Sequence, residues 1–271
     1  MIRMKDCLHL KWCAMKSFRA CSLVDGGGWV EYQCRHVGDQ AMDVVFEQVI
    51  CERINQLVNR LRKSLERRQI KGVIEMLPSY AVLTIYYDPA LLAYERLVAA
   101  IEASYRDLRH EPANVRKMWL PALYGGSGGP DLADVARLAG LTIDEVIRLH
   151  AGAVYRVYML GFAPGFPYLG GLPDSLETPR LATPRAMVRS GSVGIAGSQT
   201  GIYSLDTPGG WRIIAHMPVP LFQPEKEQPF LLAASDLVQF VPVEMVEYFD
   251  ICREIERGIY QVKEEITCPS I

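Results

Sequence analysis

Gly191–Trp211, GSVGIAGSQTGIYSLDTPGGW, decides how the second half of the chain is read. Six glycines (191, 194, 197, 201, 209 and 210) fall within it, with no lysine and a single acid, Asp206. Glycine fits where the backbone takes positive φ or must approach another group closely, so this spacing predicts short strands bending between tight turns. Between the glycines stand Ser198, Gln199, Thr200, Tyr203 and the turn Pro208-Gly209-Gly210-Trp211, groups able to address a small polar molecule. The corners of a β-barrel need glycine too, so no single glycine here implies a ligand.

Outward from this stretch the texture stays all-β. Strands are predicted at 154–160, 192–195, 201–204, 211–217 and 236–241, while FAPGFPYLGGLP (162–173) is rich in breakers and aromatics. Short strands separated by Gly/Pro turns imply a closed barrel, placed at 117–243. The end of the chain, 244–271, reads as a charged surface helix over Glu244–Glu265 and a tail. Upstream, YGGSGGP (124–130) is the clearest hinge, followed by helices at Asp131–Ala139 and Ile143–His150. Thr142 and Glu145 form a capping box at the second start. The pair looks like a DNA-binding helix-turn-helix, but Asp144 and Glu145 would face phosphates, which argues against that use.

The first half has a different period. Ala41–Phe46 reads as a strand; Ile50, Ile54, Leu57, Val58, Leu61 and Leu65 recur at helical spacing. Strands follow at Gly72–Leu77 and Ala81–Tyr87. Asp88-Pro89 reads as a helix start, with Leu91, Tyr94, Val98, Ile101 and Tyr105 as the buried stripe. A strand near Lys117–Leu123 completes β-α-β-β-α-β, a ferredoxin-like layer assigned to 35–116. The fold class is thus α+β: a ferredoxin-like α/β domain, then a barrel. Residues 1–34 match no period and read as a leader, disordered or preceding the native domain.

Composition excludes several function classes. The chain is 49% hydrophobic and 22% charged with a net charge of −2, which suits a soluble globular protein and gives no attraction to nucleic acid or anionic membrane. Seven cysteines without a CxxC pair support neither a zinc site nor a disulfide framework, so free thiols in the cytoplasm are expected. Ala14-Met15-Lys16 lacks the hairpin pattern of a biotin-attachment site. There is no GxxxxGK[ST], no HExxH and no GxSxG elbow, and no metal or biotin is expected on this chain. His9, His36, His110 and His150 read as solvated or capping residues.

The candidate site rests on arginines at proline-rich turns. Arg180 and Arg185 close two Thr-Pro-Arg triplets, and Arg189 precedes the glycine string. Guanidinium groups grip carboxylates and phosphates bidentately, although surface arginines are also common. Phe166, Gln199, Thr200, Tyr203, Gly209, Gly210 and His216 are candidate substrate-binding residues, His216 standing beside the last barrel strands. Phe166 and Tyr168 read as a pocket wall or as core, and Phe162 as core. No catalytic residue is identified.

Four ordered motifs, LGFAPGFPYLGGL, the doubled TPR, GSVGIAGSQTGIY and TPGGWRII, resemble the family of 5-oxoprolinase B subunits, also called allophanate hydrolase subunit 1 and including the kinase inhibitor KipI. The resemblance runs from about Gly38 to Val243. It implies an α/β domain and a cyclophilin-like barrel, partner subunits C and A, and ATP with Mg at the level of the complex. Its implied activity is cleavage of 5-oxo-L-proline to L-glutamate. The alternatives it carries are a KipI-like inhibitor of a histidine kinase and a urea- or allophanate-type carboxyl-transfer component. The chain departs from the family pattern at Val188-Arg189-Ser190, at Ser204 and at Ala215-His216-Met217-Pro218.

Overall fold

A computed structural model describes residues 17–18, 30–47, 51–108 and 115–267. The chain divides into two compact units, one of residues 1–49, 60–77 and 81–109, the other of 50–59, 78–80 and 110–271. The biotin-like tripeptide, His9, His110 and most of the expected leader lie outside the described residues.

The first unit is a sheet with helices. Its elements are β1 (Ser17–Phe18), β2 (Tyr32–Val37), β3 (Ala41–Val45), α1 (Glu52–Arg67), β4 (Val73–Pro78), β5 (Val82–Tyr87) and α2 (Tyr94–Arg106). Strand order is β1-β2-β3-β5-β4, with β2 and β5 each antiparallel to β3. This is the ferredoxin-like order with one exchange. The place expected for the strand at 117–123 is taken by β2, which runs parallel to β5 as that strand would. The physical reason is proximity: the turn Gly38–Gln40 joins β2 to β3, and so short a closure costs far less entropy than a distant strand. Met42, Val44, Leu61, Leu65, Leu83, Ile85, Leu97 and Ile101 fill the core. Helix α2 begins later than expected, at Tyr94. Asp88-Pro89 instead makes a turn, with Asp88 Oδ1 accepting from the Ala90 N–H at 2.9 Å.

The second unit contains β6 (Val115–Tyr124), α3 (Leu132–Ala139), α4 (Ile143–Gly152), β7 (Tyr155–Leu160), β8 (Pro167–Gly170), β9 (Arg185–Val188), β10 (Ser192–Ala196), β11 (Gln199–Ile202), β12 (Thr207–Gly209), β13 (Arg212–His216), β14 (Leu237–Pro242), α5 (Met245–Glu256) and β15 (Lys263–Thr267). The order β13-β10-β11-β8-β7-β14-β6, with β6 returning to β13, closes a seven-stranded barrel. The expected barrel is therefore present. All its pairs are antiparallel except β14 with β6. Strand β6 is long enough to carry β13 at Leu123–Tyr124 and β15 at Val115–Trp119 along one edge. Its alternation puts Met118, Leu120 and Ala122 inside, with Val157, Leu169, Val193, Ile195, Ile202, Ile214, Val238 and Phe240. The capping box at Thr142 is formed as read. The C-terminal helix is shorter than expected: α5 stops at Glu256, Gly258 takes φ +70°, and the chain turns into β15.

Candidate functional site

Gln199 opens β11, Tyr168 lies on the neighbouring β8, and Trp211 precedes β13, so three strands present their residues on one aromatic face. Phe166, Val188, Ala196, Tyr203, Trp211 and Ile213 form a buried cluster, with Ala163 and Tyr168 packed against it. The Phe166 ring stands edge-on to Tyr203 at 5.3 Å and to Trp211 at 5.5 Å. Two glycines make this possible by lacking a side chain. A Cβ on Gly201 would lie 2.9 Å from Trp211 Cζ3 and 3.0 Å from Phe166 Cζ, and one on Gly209 would lie 2.1 Å from the Tyr203 hydroxyl oxygen. Their role in this face is close approach of rings to backbone.

The first Thr-Pro-Arg triplet is tied to this face by its backbone. Arg212 Nε donates to the Pro179 carbonyl at 2.9 Å, and the Leu181 N–H donates to the Gly210 carbonyl at 2.8 Å. Between those two bonds Arg180 projects, exposed, with its guanidinium carbon 5.9 Å from the Trp211 ring centre. It has no carboxylate partner among the described residues. Arg185 is different. It pairs with Asp131 at 2.6 Å, and the other Asp131 oxygen accepts from the Ile213 N–H at 2.6 Å. The Asp131 side chain is 7% exposed and that of Arg185 32%, so this pair is a strut as well as a charge. Removing Arg185 would therefore loosen the fold as well as take away a charge. Burial raises the Tyr203 phenol pKa; a backbone hydrogen bond with Trp211 and the charges of Arg180 and Arg185 oppose it. Both guanidinium charges therefore act on the same phenol.

Gln199 completes the face. Its Nε2 donates to the Tyr80 hydroxyl at 2.6 Å, and the Tyr80 ring stands edge-on to Tyr168 at 5.8 Å. The structure thus gathers Phe166, Arg180, Arg185, Gln199, Tyr203, Gly209 and Gly210, and adds Tyr80, Asp131 and Trp211. The sequence marks Asp131 only as a helix start, and Tyr80 lies in a turn of the other half of the sequence with no pattern to mark it.

Two expected residues lie elsewhere. Thr200 is fully buried; its hydroxyl donates to the Gly194 carbonyl at 2.9 Å and so accepts from His150 Nε2 at 3.0 Å. His150 Nδ1 then accepts from the Tyr124 hydroxyl at 2.7 Å, and its ring stacks on Phe240. His150 is fully buried, which corrects its reading as a solvated or capping residue, and burial pushes its pKa down to about 3. His216 donates from Nε2 to the Ser190 carbonyl at 2.9 Å and accepts at Nδ1 from the Tyr248 hydroxyl at 2.8 Å, tying β13 to α5. Phe162, expected in the core, is 65% exposed with φ +63° at the centre of a three-residue turn closed by the Ala163 N–H on the Gly161 carbonyl. Its ring still meets Phe166 edge-on at 5.5 Å.

Among the described residues no three His, Cys, Asp or Glu side chains gather as metal ligands, and no helix is long and apolar enough to cross a membrane. Cys34, Cys51 and Cys252 are free thiols.

Comparison with known proteins agrees with this architecture. Residues 32–232 match the family described as carboxyltransferase domain, subdomain C and D. The chain is 39% identical over 231 residues to the B subunit of 5-oxoprolinase from Bacillus subtilis (strain 168), covering 81% of this chain and 96% of that one. It is 39% identical over 211 residues to the corresponding 5-oxoprolinase chain of Escherichia coli O157:H7, covering 78% and 95%. The crystal structure of the protein TTHA0988 superposes with a TM-score of 0.68 at 36% identity, over 76% of this chain and 40% of that longer one.

Proposed function

Because this chain belongs to the family of 5-oxoprolinase B subunits, within the proteins carrying the carboxyltransferase domain of subdomains C and D, we propose that it serves in a heteromeric 5-oxoprolinase as that component. The complex opens the lactam of 5-oxo-L-proline to L-glutamate with ATP hydrolysis. Its other members are subunits C and A, and it works in the cytoplasm, where the free thiols described above stay reduced.

The observation that carries the reading is the exposed Arg180 guanidinium held beside Trp211 without a carboxylate partner among the described residues. A bidentate donor in that position suits the substrate carboxylate. Phe162, exposed, and Tyr168, half-buried, offer aromatic surface to a five-membered ring, while Gln199 can address its amide edge. ATP supplies the phosphoryl group that turns a stable amide carbonyl into an electrophile. In this reading nucleotide binding falls to the partner chains, and the part played here is to bind and orient the lactam.

The test is ADP release by the chain co-expressed with its partners, with and without 5-oxo-L-proline. Release should depend on both the substrate and this chain. Arg180→Ala should raise the KM for 5-oxo-L-proline at least about tenfold, the loss expected for one hydrogen-bonded charge pair. Its Tm should stay that of the wild type, because the exposed Arg180 holds nothing in the fold. A stable complex that releases no ADP on addition of 5-oxo-L-proline would overturn the reading in favour of another substrate or of a kinase-binding role.

A further inference from the structure

Tyr80 belongs to neither strand beside it, yet three separate contacts fix it. It lies between Ser79 and Ala81 in the connection from β4 to β5, and Pro78–Tyr80 group with the barrel unit. Asn55, buried on α1, donates through Nδ2 to both the Ser79 carbonyl and the Tyr158 carbonyl, each at 3.0 Å, so the turn's backbone is fastened to β7. The ring stands edge-on between Tyr158 at 5.9 Å and Tyr168 at 5.8 Å. The hydroxyl oxygen accepts from Gln199 Nε2 at 2.6 Å.

That last bond has a chemical consequence. A phenol oxygen that accepts a hydrogen bond becomes a better donor through its own proton, because hydrogen bonds in a chain polarise one another. Among the described residues no acceptor takes the Tyr80 proton. The proton is also held firmly: burial raises the phenol pKa above its ordinary value, against the opposing pull of Gln199 and of the Arg180 charge. The Tyr80 ring meets Tyr168, the Tyr168 ring meets Trp211 at 6.1 Å, and Arg180 lies over Trp211, so a neutral donor and a cation border the same aromatic face. This is the arrangement that stabilises negative charge gathering on a carbonyl oxygen.

We propose that Tyr80 is a further substrate-binding residue, whose hydroxyl donates a hydrogen bond to the ring carbonyl oxygen of a cyclic amide lying on the Arg180–Trp211 face. This rests on the functional reading above. Gln199 is the positioning residue that aims the phenol. The hydrogen bond strengthens as the oxygen gains negative charge, and the proton stays on Tyr80 throughout.

Tyr80→Phe keeps the ring between Tyr158 and Tyr168 and deletes only the hydroxyl. In the assembled complex its kcat for 5-oxo-L-proline-dependent ADP release should fall about 100-fold, the cost of losing one oxyanion donor, with KM changed much less. The Tm of the variant chain should match the wild type. Gln199→Glu should be equally impaired although Tyr80 is intact, because a carboxylate would take the phenol proton for itself. A wild-type kcat in Tyr80→Phe overturns the inference, and so does a fall explained by a lowered Tm. If the wild-type complex shows no 5-oxo-L-proline-dependent release, the functional reading fails separately, and saturation-transfer NMR on the full chain judges Tyr80 alone. There the wild type should bind 5-oxo-L-proline and Tyr80→Phe should bind it about threefold to fivefold more weakly, the worth of one neutral hydrogen bond in the ground state, with L-proline, which lacks the ring carbonyl, unaffected. Equal binding by the two chains, or none by the wild type, overturns the assignment.

Discussion

Neighbouring glycines in the Pro208-Gly209-Gly210-Trp211 turn face opposite demands. A Cβ on Gly209 would lie 2.1 Å from the Tyr203 hydroxyl oxygen, whereas the nearest atom to one on Gly210 is Pro184 Cγ at 3.6 Å, an ordinary contact. Tyr203 is 2% exposed and wedged against Phe166, so it cannot swing away. Gly209→Ala should therefore lower the Tm and the activity together, by about 1–3 kcal/mol for an overpacked core, and Gly210→Ala should leave both in place. Thermal denaturation of the two variants, compared with their ADP release, checks this. The sequence presents both glycines as candidate substrate-binding residues. Their sequence neighbours are the same Pro and Trp, and what separates them is a tyrosine ring brought in from β11's end, which no local pattern announces.

At the scale of the element, local chemistry was enough wherever the deciding partners lay within a turn of each other. Thr142 and Glu145 cap α4 as their spacing requires: the Glu145 N–H donates to Thr142 Oγ1 at 3.2 Å, and Glu145 Oε2 accepts from the Thr142 N–H at 2.8 Å. Those same bonds to Thr142 hold the Glu145 carboxyl below the usual carboxylate range. Thr142→Ala should cost about 1 kcal/mol, read as a lowered urea midpoint at unchanged slope. Elements set by distant partners were less legible. Strand β15 lies within a charged run that reads equally well as helix, and it becomes a strand by pairing with β6. Strand β8 is hidden among Pro167 and Gly170, and its place between β7 and β11 defines it.

For the whole molecule, the polar chain from Tyr124 through His150 and Thr200 to the Gly194 carbonyl crosses the barrel interior and joins α4, β6, β10 and β11. His150 is held neutral there, with its pKa at about 3 against an unfolded value of 6.5. Above pH 6.5 neither state binds the proton and the full stability is present. Between pH 6.5 and about 3 the unfolded chain takes up a proton that the native chain refuses, so stability falls as pH falls, at up to about 1.4 kcal/mol per pH unit. Urea unfolding at about pH 7 and about pH 5 should show this loss, and His150→Gln should reduce it. A pH-independent difference between the two chains would remove His150 from the account.

The sequence by itself determined the two-part architecture, the barrel in the second half, the capped helix α4 and the arginine-bearing turns, because each is written in periodicity or in chemistry between near neighbours. It also carried the family resemblance in the ordered motifs from Leu160 to Ile214. Only the tertiary structure decided that β2 supplies a strand of the first sheet, that Arg185 is anchored by Asp131 while Arg180 is not, and that Thr200 and His216 leave the candidate face as Tyr80 enters it. Each of those outcomes depends on groups far apart in the chain, such as Tyr80 and Gln199 at a sequence separation of 119. Side-chain hydrogen bonds and ring contacts reach a few ångströms whatever the separation in sequence, so their partners are chosen by the closed barrel.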